Sequence, residues 1–131
     1  MMKTLGLTTV LSLALFLLIG CGQSPAPTGE ITQLELSERI SNGTAPVILD
    51  VRSADEFAAG HLPGAINIPH TAVGERVSEL GVATTDEIVV HCFSGKRAGI
   101  AQTTLDGMGF TNLRHLDGDW QDWQAGGLPV E

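Results

Sequence analysis

The sequence predicts an α/β domain with a mostly parallel sheet flanked by helices. Three observations carry that expectation. Residues 47–51 and 88–92 are short, almost continuous apolar runs, as strands covered on both faces read. Helical patterns with start signals separate such runs along the chain. Strands and helices alternate throughout, and that order builds parallel sheets with crossover helices.

The chain has 131 residues, enough for one domain with a core of its own. Its first 21 residues read as a targeting segment. Lys3 supplies the charge, residues 5–19 are apolar, and small residues precede Cys21. The apolar run falls short of the ~20 residues that span a bilayer. Leu18-Ile19-Gly20-Cys21 resembles a bacterial lipobox, in which the cysteine is acylated and becomes the first mature residue. On that reading Cys21 carries lipid, and the protein is an extracytoplasmic, membrane-anchored lipoprotein in the periplasm or at the cell surface. Residues 22–29 are rich in Ser, Pro, Thr and Gly and read as a flexible tether. The folded domain is expected over residues 30–131.

Within it, Thr32 and Glu35 have the spacing of a capping box and start a helix that ends near Gly43. A strand follows at 47–51. Ser53 and Glu56 form a second capping box, opening a short helix that Gly60 closes. Residues 65–68 are a short strand stopped by Pro69, and 71–80 a weak helix. A strand at 88–92 leads into a helix over 96–108, with Ala98, Ala101, Leu105 and Met108 on one face. A strand at 112–116 and a helix at 119–125 finish the domain. Phe57, Leu105 and Phe110 read as core, and Trp120 and Trp123 as cover for the sheet.

Composition narrows the function. The formal charge is -8, which excludes the basic surface that nucleic acid or anionic lipid would need. There are two cysteines. With Cys21 given to lipid, Cys92 is a solitary thiol outside the cytoplasm, and no internal disulfide is available. Such a thiol is a liability unless it is inert by burial or needed for chemistry.

The loop Cys92-Phe93-Ser94-Gly95-Lys96-Arg97 argues for chemistry. Cys92 ends a strand, and in parallel sheets ligands bind beyond the carboxyl ends of strands. The helix starting near Lys96 directs unsatisfied N–H groups toward its N-terminal side. Gly95 lets successive amides converge on one anion. Lys96 and Arg97 add positive charge, so the whole arrangement favours a thiolate and a small anionic substrate. The spacing also excludes phosphate transfer of the Cys-x5-Arg type. The position that motif requires is Ala98, and Arg97 stands one residue too early. A cradle this tight suits a single sulfur atom on Cys92.

These residues resemble the single-domain rhodanese family of sulfurtransferases over roughly residues 30 to 131. The resemblance rests on four motifs in order: Asp50-Val51-Arg52; Gly60-His61-Leu62-Pro63-Gly64-Ala65-Ile66-Asn67-Ile68-Pro69 after Glu56-Phe57; the Cys92 loop; and Leu116-Asp117-Gly118-Asp119-Trp120 with Trp123, Gly127, Leu128 and Pro129. The secreted form is similar to the periplasmic phage-shock type. The resemblance implies that Cys92 takes sulfane sulfur from a donor such as thiosulfate, holds it as a persulfide, and passes it to cyanide or a thiol. It implies backbone stabilisation of that sulfur from Phe93, Ser94, Gly95, Lys96 and Arg97. Lys96 would attract the donor, and Arg97 would hold the loop and add charge. Phe93 would limit which donors enter. Asp50 and Arg52 are expected to support the loop by buried polar contacts. No cofactor is implied, and the histidines lack metal-ligand spacing with Cys92. The membrane enters only through the lipid anchor.

Two departures from the family pattern stand out. Asp119 occupies a position where many relatives have glycine, and it reads as a cap for the last helix. His91 replaces an aromatic residue before the cysteine. Adjacent strand residues face opposite sides, so His91 reads as structural and not as the base for Cys92. The alternative function is a sulfur-carrier or thiol-relay module acting with a protein partner, since both roles need the same persulfide.

Overall fold

Alternating side-chain direction along strands buried on both faces decides the layers of this protein. In the computed structural model, which describes residues 29–131, strands β1 (Gly29–Ile31), β2 (Val47–Asp50), β3 (Ile66–Asn67), β4 (Ile88–His91) and β5 (Leu113–Leu116) form one sheet in the order β1-β5-β4-β2-β3. All four pairings are parallel. Successive side chains point to opposite faces. Ile48, Val89 and Leu116 therefore join one core cluster, while Leu49, Val51, Val90 and Cys92 join the other.

Five helices cover the two faces: α1 (Gln33–Ser41), α2 (Ala54–Ala59), α3 (Val73–Arg76), α4 (Lys96–Gly107) and α5 (Asp119–Ala125). Leu36 of α1 and Trp120 and Trp123 of α5 pack on the first cluster. Val73 of α3 and Ala98, Ala101 and Leu105 of α4 pack on the second. Small residues at 98 and 101 let α4 lie close to the sheet. The exposed Met108 only caps that helix, so the apolar face is three residues and not the expected four.

The capping signals hold in different ways. Ser53 and Glu56 form a complete capping box on α2. At α1, Thr32 Oγ1 accepts the Glu35 N–H at 3.1 Å, but the Glu35 carboxylate turns away to Arg114 Nη1 at 2.7 Å. An arginine brought across from β5 outcompetes the reciprocal half of that box.

Four further expectations are corrected. Gly29, assigned to the tether, opens β1 and is the register partner of Arg114. The weak helix over 71–80 is broken: a 3-10 turn (His70–Ala72), α3 and a second 3-10 turn (Val77–Leu80) replace it. Phe57 is half-buried and not core; it stacks on His61 with ring centroids 3.7 Å apart. The strand expected over 65–68 shrinks to Ile66–Asn67. The targeting segment, the lipobox with Cys21 and tether residues 22–28 lie outside the described residues. Among the described residues no helix is long and apolar enough to cross a membrane.

Because all strands run the same way, their carboxyl ends gather at one edge. Asp50, Asn67, His91 and Leu116 end four of them. Asn67 Nδ2 donates to the carbonyls of Asp50 and Arg52 at 2.9 Å each and fixes the turn leaving β2.

Candidate active site

Cys92 is the first residue beyond β4, so the strand itself delivers the thiol to that edge. Its loop is clamped to α5. The Trp120 N–H donates to the Cys92 carbonyl at 3.0 Å and the Gln121 N–H to the Phe93 carbonyl at 3.1 Å. Gly95 then takes φ +109 before α4 starts, a conformation that costs glycine little. A Cβ there would also lie 3.1 Å from Asp119 Oδ2 and 3.2 Å from the His115 ring. The result is that the Gly95 N–H donates to Cys92 Sγ at 3.0 Å. Among the described residues it is the one loop amide bonded to the sulfur in this state.

The two loop cations separate. Arg97 is held bidentate by Glu56, Nη1 to Oε2 at 2.6 Å and Nη2 to Oε1 at 2.9 Å. The same Oε2 accepts the Ser53 N–H at 2.9 Å, so the cap of α2 doubles as the anchor of α4. The Arg97 guanidinium, helped by Ser53, holds the Glu56 carboxyl down from its ordinary 4.5 to about 2. Lys96 is exposed and in no ion pair. Every other described lysine or arginine is paired: Arg39 with Glu87, Arg52 with Asp50, Arg76 with Glu79, Arg97 with Glu56 and Arg114 with Glu35. Lys96 is thus the free cation of the described residues, at the first position of α4, while Arg97 is the cation that lies against the Cys92 sulfur. Ser94 is exposed and makes no side-chain hydrogen bond.

The Glu56 shift has a consequence for acid stability. A carboxyl whose folded pKa is depressed contributes stability above its unfolded value, and that contribution is lost as pH falls through the folded value. The Glu56–Arg97 contribution is therefore complete above about pH 4.5 and lost toward pH 2. The pair is partly exposed, so solvent screening keeps the effect modest. Glu56→Gln is expected to flatten urea-unfolding stability against pH across that window. An unchanged slope would show that the pair does not form in solution.

Asp50 and Arg52, expected to support the loop, are both buried, and their side-chain hydrogen bonds run to each other, to the Arg52 N–H and to the Gly60 carbonyl, not to residues 92–97. Arg52 Nη2 donates to Asp50 Oδ2 at 2.7 Å and to the Gly60 carbonyl at 2.7 Å. Its guanidinium stacks 4.4 Å from the Trp120 ring centroid. Phe93 is 42% exposed, as a rim residue would be. It lines a cleft of about 210 Å³ together with Arg52, Glu56, Ala59, Gly60, Trp120 and Gln124. A larger and more open depression of about 430 Å³ lies over α4 and β5. Cys92 lines neither, and the smaller cleft is the one that contains its chain neighbour Phe93.

His91 is fully buried, and burial pushes its pKa down. Its Nδ1–H donates to the Cys92 carbonyl at 3.1 Å, which leaves the bare Nε2 facing Asp50 Oδ2 at 3.6 Å. It braces the backbone. His61 also braces: its Nδ1–H donates to the Phe57 carbonyl at 2.9 Å. Among the described residues no three His, Cys, Asp or Glu side chains stand together as a metal site.

Three contributors escaped the sequence reading. Glu56 was read as a cap, and its second role depends on a residue 41 positions away. His115 carried no signal. Asp119 does more than begin α5: its Oδ1 accepts the Cys92 N–H at 2.8 Å, and both of its oxygens accept from His115 Nε2, at 3.0 and 2.9 Å. The acid in place of a second glycine after Gly118 was the available clue.

Comparison with known proteins agrees with this geometry. The rhodanese-like domain profile matches residues 32–126. A presumed sulfur carrier protein of Bacillus subtilis is 32% identical over 94 residues, covering 72% of this chain and 50% of the relative. The chloroplastic thiosulfate sulfurtransferase 16 of Arabidopsis thaliana is 37% identical over 94 residues, 63% of this chain and 78% of the relative. The chain thus spans half the length of the first relative and about three quarters of the second. Among solved structures, a rhodanese-related protein from Thermoplasma volcanium superposes with a TM-score of 0.68 at 29% identity, covering 79% of this chain and 98% of that one.

Proposed function

The chain belongs to the rhodanese-like domain family, and from that premise we propose that it is a sulfurtransferase working through a Cys92 persulfide. The observation that carries this reading is the thiol at the end of β4, its Sγ held by the Gly95 N–H, with Lys96, the one unpaired cation among the described residues, opening the helix that follows. The Cys92 thiolate attacks the outer sulfur of thiosulfate. The S–S bond to the sulfite group breaks, and sulfite leaves with the bonding pair. Cyanide or a thiolate then attacks the outer sulfur of the persulfide. Thiocyanate or a new persulfide departs, and the Cys92 thiolate is restored. Nothing in this cycle consumes an electron from outside.

Intact-mass measurement after mixing with thiosulfate tests the first step. One added sulfur on Cys92, followed by rapid thiocyanate release with cyanide, is the expected result. No sulfur uptake by an alkylatable Cys92 would sink the thiosulfate assignment. Lys96→Ala is expected to raise the KM for thiosulfate about tenfold, an effect that added salt erodes. An unchanged KM would remove Lys96 from donor capture.

The similarity to a presumed sulfur carrier supports a second reading, in which the persulfide forms but a partner protein takes the sulfur. Loading without rapid turnover on cyanide or small thiols would favour it. We further propose that Cys21 is lipidated and holds the domain outside the cytoplasm. Metabolic labelling with palmitate that persists in Cys21→Ser would overturn that.

A further inference from the structure

We propose that His115 and Asp119 form a positioning pair that sets how readily Cys92 carries negative charge. Asp119 opposes an anion on the sulfur, and a protonated His115 offsets Asp119. The inference rests on the reading of Cys92 as the reacting thiol.

Asp119 is 2% exposed, and its carboxylate occupies the underside of the loop. Oδ1 takes the Cys92 N–H, and Oδ2 lies 3.1 Å from the place of a Gly95 Cβ. The Gly95 amide in turn holds Sγ. The carboxylate thus contacts both the Cys92 backbone and the turn at Gly95 whose amide holds the sulfur, and in a buried setting charges act strongly on one another. Asp119 is also the one non-glycine residue at positive φ among those described, at +52. A side chain kept in a conformation that most residues avoid is held there by its contacts.

Of the charged groups around the loop, His115 is the one whose side chain bonds the Asp119 carboxylate among the described residues. From α4, Lys96 is exposed and unpaired, and Arg97, paired with Glu56, also lies against the Cys92 sulfur. From β2 and the turn after it, Asp50 and Arg52 are paired with each other. From β4, burial disfavours the charged form of His91. His115 comes from β5, with its side chain 25% exposed. It faces Asp119 from α5, Asp117 from the turn before α5, and Glu30, its register partner on β1. The Asp119 hydrogen bond, with Glu30 and Asp117 behind it, raises the His115 pKa above its ordinary 6.5. Below that raised value the pair is neutral and an anion on Cys92 is supported. As pH rises through it, the pair becomes net negative and the anion is opposed.

The test uses the full chain carrying Cys21→Ser, so that Cys92 is the sole thiol. Ultraviolet thiolate absorbance is followed against pH relative to a matching Cys92→Ser protein. The chain has no tyrosine to mask it, and no sulfur donor is needed, so a failed transferase assay does not bear on the result. Asp119→Asn tolerates positive φ and keeps an acceptor for the Cys92 N–H. Asp119→Gly suits the same backbone and is the second variant should the first fold poorly. In either, the thiolate is expected to appear about one pH unit lower than in the parent. In His115→Gln it is expected about one unit higher, and that shift should vanish when Asp119→Asn is added. A His115→Gln shift that persists without the Asp119 charge, or no shift in both Asp119 variants, would overturn the proposal.

Discussion

Cys92→Ser is expected to reduce thiosulfate-dependent thiocyanate formation to background, a loss of about 10³-fold or more, with folding stability nearly unchanged. The two halves of that expectation have different causes. A serine hydroxyl can occupy the place of Sγ and accept the Gly95 N–H now held at 3.0 Å, so no buried donor is orphaned. The clamps on the loop are backbone groups of Cys92 and Phe93, and the substitution leaves them in place. Chemistry is lost because an alcohol is a far weaker nucleophile than a thiol near neutral pH. Intact mass and thiocyanate release read activity, and urea unfolding reads stability. Residual sulfur uptake in this variant would place the acceptor atom elsewhere, and a large stability loss would make Cys92 a packing residue first.

Arg52→Ala is expected to carry the largest stability cost, about 3–5 kcal/mol. Asp50 is fully buried and Arg52 2% exposed. Removing the guanidinium leaves the Asp50 carboxylate inside the protein with no cation. The nearest alternative, His91 Nε2 at 3.6 Å, has no proton to offer while the imidazole is neutral. The substitution also strips a donor from the Gly60 carbonyl and the stack on Trp120. The Asp50→Asn/Arg52→Met double variant should cost much less, because it removes both charges and keeps an acceptor for the Arg52 backbone N–H, which bonds Asp50 Oδ1 at 3.0 Å. Urea unfolding of the three proteins checks the comparison. A loss under about 1 kcal/mol for Arg52→Ala would show that the pair adds little beyond solvated charges.

The fold was largely legible because its signals are local. Val47–Asp50 and Ile88–His91 announce buried strands by composition alone, and Ser53 and Glu56 announce a helix start by spacing. β1 was not legible. Three residues with one buried apolar side chain, Ile31, carry no periodicity, and only pairing with β5 makes them a strand. The loop after β4 was equally open to reading, since strand end, glycine and helix start are neighbours in the chain. The fates of its charges were not, because the partner of Arg97 lies 41 residues away and the partner of the Cys92 N–H 27 away.

The sequence by itself determined an α/β domain, the strand–glycine–helix order of the Cys92 loop, and the resemblance to rhodanese-like domains. Each is encoded within a few residues, by alternation, by caps and by a glycine between a strand and a helix. Only the tertiary structure decided which charges act on Cys92. Glu56 claims Arg97, Asp119 reaches the Cys92 backbone, His115 answers Asp119, and Lys96 is left free. Those choices follow from three strand ends meeting at one edge of a parallel sheet, which brings together residues that no local pattern connects.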